Sequence, residues 1–170
     1  MSNVPEILNQ IIKSRKSVFP AQYTGEELPS DIVEQIVDSA NFAPNHKKTY
    51  PWRLRTFRKK EKEILGKELM RLYKENTPED KFSERTYNEI GQKAEKSDTM
   101  ITISVNFSGQ VPQWEEIAAT AMAVQNMYLT CTANGVGCYW GTPGFISKLK
   151  NFLQLEENQE CYGIFFMGKI

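Results

Sequence analysis

One stretch of this chain limits the folds open to it more than any other. From about Gln113 to Ala133 the residues follow a helical pattern, with Ile117, Ala121, Val124, Tyr128 and Cys131 spaced for burial. Runs with β character flank it, Met100 to Val105 before and Val136 to Trp140 after. Its many alanines permit close approach of neighbouring elements, so this helix is expected at the centre of the molecule. Two more strands are expected, Trp52 to Phe57 and Tyr162 to Met167, with a helix around Ile146 to Leu153 before the last of them.

The rest of the pattern is helical. Pro5 near a helix start, followed by Ile7, Leu8, Ile11 and Ile12, predicts a helix that ends near Lys13 to Arg15. Pro29 and Ser30 open a second helix, with Ile32, Val33, Ile36, Val37 and Ala40 on one face. Pro44 stops it, because proline has no amide hydrogen and disfavours helical geometry in the residue before it. Lys59 to Lys96 is charge-rich and interrupted near Thr77-Pro78, which reads as a solvated pair of helices over a sheet. We find no repeat, low-complexity tract or long linker, so one domain spanning residues 1–170 is expected.

Charge and cysteine usage narrow the function. Lys and Arg number 21, and so do Asp and Glu, which removes the basic excess expected of a nucleic-acid binder. No apolar run approaches membrane-spanning length and no secretory signal pattern is visible, so a cytoplasmic protein is expected, with neither nucleic acid nor membrane as partner. Cys131, Cys138 and Cys161 form no Cys-x-x-Cys pair and read as reduced thiols. The sole histidine, His46, lies far from them in sequence, so no metal site is expected. Neither a dinucleotide glycine fingerprint, nor a phosphate-binding P-loop, nor a recognisable nucleophile motif is present.

Three separated segments carry the chemical signal. Arg15-Lys16-Ser17 follows the first helix; alone, two cations there mean a favourable interaction with the helix dipole, yet they also suit a phosphate. Ala43-Pro44-Asn45-His46-Lys47-Lys48-Thr49-Tyr50-Pro51-Trp52 lies in the loop after the second helix, where a lone histidine is usually a surface residue. Gly135-Val136-Gly137-Cys138-Tyr139-Trp140-Gly141-Thr142 combines small residues with aromatics; bare glycines there mark a helix-to-strand turn, and they also let backbone approach a planar ligand.

In this order and spacing the three segments resemble the nitroreductase family, most closely its short branch, and the resemblance runs from about Ile11 to Gly168. It implies an α+β fold with a central mixed, mostly antiparallel sheet flanked by helices, and an intertwined homodimer. It further implies FMN as cofactor, NADH or NADPH as electron donor, and a small nitroaromatic or quinone acceptor reduced by a ping-pong mechanism. By the same resemblance Arg15, Lys16 and Ser17 grip the FMN phosphate, and Trp140, Gly141 and Thr142 contact the flavin. His46 reaches the partner's flavin across the dimer interface, and Gly163 and Gly168 match the family's closing glycines. The chemistry is then carried by FMN, with no catalytic protein residue. A flavin-binding sensor or storage protein without turnover would use the same residues.

Overall fold

The computed structural model describes residues 3–170. Four strands form one sheet: β1 (Trp52–Arg58), β2 (Thr99–Asn106), β3 (Val136–Gly141) and β4 (Gln159–Lys169). Their order across the sheet is β1-β2-β4-β3, and each of the three pairings is antiparallel. The sheet expected to be mostly antiparallel is therefore antiparallel at every pairing. β2 and β3 do run in the same direction, as a strand–helix–strand crossover requires, but β4 is inserted between them.

The helices follow from local signals. α1 (Val4–Ser14) has Pro5 in its first turn and α2 (Ser30–Ser39) begins just after Pro29. α3 (Lys59–Asn76) and α4 (Glu84–Lys96) are the charge-rich pair, and the Ser83 hydroxyl accepts the Thr86 amide at 3.3 Å to cap α4. α5 (Gln113–Ala133) is the long helix, and α6 (Lys150–Leu153) continues a 3₁₀ turn over Ile146–Leu149.

Helices cover the sheet on both faces. On one, α2 and α5 pack Ile36, Val124 and Met127 against Ile101, Ile103 and Phe165. On the other, α3 and α4 pack Leu65, Leu69 and Ala94 against Phe57, Met100 and Phe166. Seven of the eight residues of β2 are consequently buried, Thr99, Thr102 and Ser104 included, as expected of a strand covered on both faces.

Burial departs from the expected pattern on two helices. Along α5, Val124 and Cys131 are buried, Ile117 and Tyr128 are half-buried, and Ala121 is exposed. The reason is that α5 keeps an open face, on which Trp114 is 68% and Met122 41% exposed. α1 buries none of its residues, so its stripe of Ile7, Leu8 and Ile12 also faces outward. Among the described residues no helix is long and apolar enough to cross a membrane. The three cysteines are free and buried, and the described residues contain no cluster of three potential metal ligands.

Candidate functional site

The segment after α1 is fastened along the free edge of β3. The Val18 amide donates to the Cys138 carbonyl at 2.9 Å. The Tyr23 hydroxyl donates to the Val18 carbonyl at 2.8 Å and the Phe166 carbonyl at 3.2 Å. Gly137 and Gly168, paired across β3 and β4, make room for the Tyr23 ring; a Cβ on Gly168 would lie 2.3 Å from it. Burial raises the pKa of the Tyr23 phenol, which stays a neutral donor.

This anchoring delivers Arg15 and Ser17 to Tyr128 of α5. The Arg15 guanidinium carbon lies 5.3 Å from the Tyr128 ring centroid, within cation–π range. Ser17 Oγ is 3.5 Å from the Tyr128 hydroxyl, which accepts the Trp140 amide hydrogen at 2.7 Å. Lys16, between them, is exposed.

Ser17, Trp140, Gly141 and Thr142 line one cleft of about 410 Å³, together with Lys93, Tyr139 and Phe166. That volume falls in the range of small-molecule sites, about 300–1,000 Å³. No carboxylate lines it, and Lys93 has no ion-pair partner among the described residues. The Lys93 ammonium stands 6.0 Å from the Tyr139 ring centroid. Burial, with a smaller contribution from the Tyr128 phenol, pushes the Tyr139 hydroxyl up to about 12. Trp140 is seated by its indole N–H, which donates to the Tyr162 carbonyl at 3.2 Å. Gly163 makes that seat possible. Its φ is +147°, and a Cβ there would fall 2.1 Å from the indole nitrogen.

The second motif takes another course. Its Lys47, Lys48 and Tyr50 have φ of 53°, 54° and 43°, left-handed geometry that costs non-glycine residues energy and tends to collect at functional loops. His46 Nδ1 lies 2.6 Å from Glu115 Oε2 at the start of α5, and Lys47 Nζ donates to the Gln110 carbonyl at 3.0 Å. Glu115 and Tyr128 are separated by about 20 Å of helix axis. Within one chain, then, His46 stands apart from the cleft that gathers Ser17 and Trp140. Trp52 is a buried anchor whose indole N–H donates to Asn41 Oδ1 at 3.1 Å. A larger cleft of about 610 Å³ wraps the free edge of β1 beside Tyr50, Arg53 and Arg55. It contains none of the seven residues singled out in the sequence. Size alone therefore does not pick the site, and the smaller cleft collects the chemistry.

The sequence profile of the Nitroreductase family matches residues 12–169. The chain belongs to the nitroreductase family. YfhC of Bacillus subtilis, named provisionally as an NAD(P)H nitroreductase, is 24% identical over 165 residues, covering 95% of this chain and 84% of that protein. A nitroreductase-like family protein from Bacillus cereus superposes with a TM-score of 0.79 at 23% identity, over 96% of this chain and 85% of that one. The FMN-dependent nitroreductase NfnB from Mycobacterium smegmatis, solved with NADPH, gives a TM-score of 0.79 at 14% identity, over 98% and 89%. The fold is shared across these proteins.

Sequence reasoning missed two side chains of this nitroreductase-family chain: Lys93, which lines the cleft, and Tyr128, which bonds to the lining residues Ser17 and Trp140. Lys93 sits in the charge-rich segment read as a solvated surface, and nothing in the local pattern separates it from its neighbours. Tyr128 was counted only as part of a burial stripe. A hydroxyl in an otherwise apolar row was the one available signal, since a buried tyrosine oxygen usually finds a polar partner.

Proposed function

We propose that the Ser17–Trp140 cleft binds FMN and that the protein is an NAD(P)H-dependent oxidoreductase acting on small acceptors, nitroaromatics or quinones among them. One observation carries this reading. Ser17 from the motif after α1 and Trp140, Gly141 and Thr142 from the glycine- and aromatic-rich motif line a single cleft that no carboxylate among the described residues lines, while Arg15 stands beside it on the Tyr128 ring and Lys16 is exposed. The residues present suit the group. Arg15, Lys16 and Ser17 would hold the phosphate, and Trp140, Gly141 and Thr142 would hold the ring system. Lys93 supplies the one ammonium lining the cleft, where added negative charge is stabilised. Bound there, FMN would supply the hydride and electron transfer between NADH or NADPH and the acceptor in a ping-pong cycle, so no protein nucleophile would be needed.

We further infer a homodimer in which His46 of one copy serves the cleft of the other. The open apolar faces of α1 and α5, with Val4 76% and Trp114 68% exposed, support such a partner, because patches of this kind usually mark interfaces. A two-fold axis would then make the same surface self-complementary.

The reading is tested by colour and by titration. The purified protein should show a flavin absorption band that NADH or NADPH bleaches without oxygen; a band that never bleaches leaves a passive binder, and no band removes the cofactor. Arg15→Ala should weaken FMN binding to the refolded apoprotein by about 1.5–3 kcal/mol, the worth of a charge-assisted hydrogen bond. Unchanged affinity would remove the phosphate role of Arg15.

A further inference from the structure

We propose that Tyr128 is a positioning residue that sets Ser17 as a hydrogen-bond donor to the phosphate of a bound phosphomonoester. The proposal rests on the cofactor reading above and adds to it a residue of α5 that touches both motifs.

A backbone N–H has no choice of role, so the Tyr128 oxygen must accept from Trp140, at 2.7 Å. That contact closes an amide on the free edge of β3, beside the carbonyl of Cys138 that the Val18 amide already uses. With its oxygen so engaged, the phenol keeps one hydrogen to give. The other hydrogen-bonding atom beside it is Ser17 Oγ, at 3.5 Å. Once the Ser17 oxygen accepts that hydrogen, its own proton points away from Tyr128. A serine hydroxyl is ordinarily a free rotor that serves as donor or acceptor; here the chain Trp140 N–H to Tyr128 O–H to Ser17 O–H turns its hydrogen away from Tyr128. A phosphate accepts hydrogen bonds and offers few, so a serine committed to donation matches it.

The same ring organises the cation. Arg15 lies over its face at 5.3 Å, and the ring meets Phe165 edge-on, with centroids 5.0 Å apart and planes at 85°. Tyr128 therefore holds Arg15 by its face, Trp140 by its oxygen and Ser17 by its hydrogen. Phenylalanine at this position would keep the first contact and lose the other two.

The experiment compares FMN with riboflavin, which lacks the phosphate. Apoprotein is titrated with each by flavin fluorescence, using wild type, Tyr128→Phe, Ser17→Ala and the double variant. Tyr128→Phe should lower the preference for FMN over riboflavin about tenfold, the worth of one hydrogen bond to a charged group, since any effect through Trp140 falls on both ligands alike. Ser17→Ala should reproduce that loss, and the double variant should lose no more than either single one, since all three break the same relay. Equal loss for both ligands would mean that Tyr128 only supports the fold, and would overturn the proposal; so would an unchanged preference, or losses that add. If Tyr128→Phe fails to fold, Ser17→Ala, which leaves the packing of α5 untouched, still overturns the proposal by an unchanged preference. A wild type that binds neither flavin overturns the cofactor reading, and this inference with it; one that prefers FMN while both variants match it overturns this inference alone.

Discussion

The two ends of α5 are built differently. At the C-terminal end, Tyr128 ties together Arg15, Ser17 and Trp140, and every one of those residues comes from the same chain. At the N-terminal end, Glu115 meets a His46 whose side chain is 59% exposed, on a loop with three left-handed residues, next to a Trp114 that packs on little of its own chain. One end is a furnished cleft. The other is a poised loop whose histidine lines neither of the two clefts described. An element finished by its own chain is held by burial and hydrogen bonding; an element left open keeps its apolar surface for something else to cover. This is the arrangement expected if each copy contributes complementary halves to two sites.

The strongest way to break the finished end is Gly163→Ala. The added Cβ would collide with the Trp140 indole and come within 2.7 Å of the Gly141 carbonyl, at a φ that favours glycine. Overpacking and backbone strain together should cost about 3 kcal/mol, which for a domain of this size lowers Tm by roughly 10 °C. Thermal unfolding checks this; an unchanged Tm would mean the Trp140 seat is loose.

Met122→Glu attacks the open face instead. A carboxylate facing a self-complementary apolar surface should weaken association at least about tenfold while the monomer stays folded. Sedimentation reads the shift. A monomer that still carries one FMN with wild-type affinity would contradict the shared-site arrangement.

His46→Ala should change stability least, by less than about 0.5 kcal/mol, because its partner contact is a surface pair. Its effect belongs in the rate of flavin reduction by NAD(P)H, or in the flavin potential. If both equal the wild type, the loop histidine serves only the surface.

Much of this architecture was legible from periodicity. The strands at Trp52, Thr99, Val136 and Gln159 fall where β-branched and aromatic runs stand between turn residues, and α2 follows its Ile36 stripe. The position of β4 between β2 and β3 was not legible, because pairing order depends on contacts between distant segments. The same division holds at the site. Arg15-Lys16-Ser17 and Trp140-Gly141-Thr142 are contiguous and could be recognised as units. Lys93 enters the cleft, and Tyr128 reaches its lining residues, one at a time from helices whose patterns speak only of solvent or burial. Gly163 was visible as a glycine, but its purpose, clearing space for an indole from another strand, exists only once the sheet has formed.

The insertion of β4 also sets an order of events. β3 is synthesised before β4, yet every partner it has in the sheet lies on β4. Until that strand arrives, β3 has no ladder to join, the Tyr23 ring has only one of its two glycine walls, and Trp140 has no Tyr162 carbonyl to receive its indole proton. β4 must also pair with β2, which joins the most distant segments of the sheet, and such pairing is slow because chain entropy must be lost before the contacts repay it. The strand made last is thus the keystone of the sheet, and the cleft is among the latest features to appear. Ligand capture during refolding would accordingly report completion of the whole sheet rather than formation of any single motif.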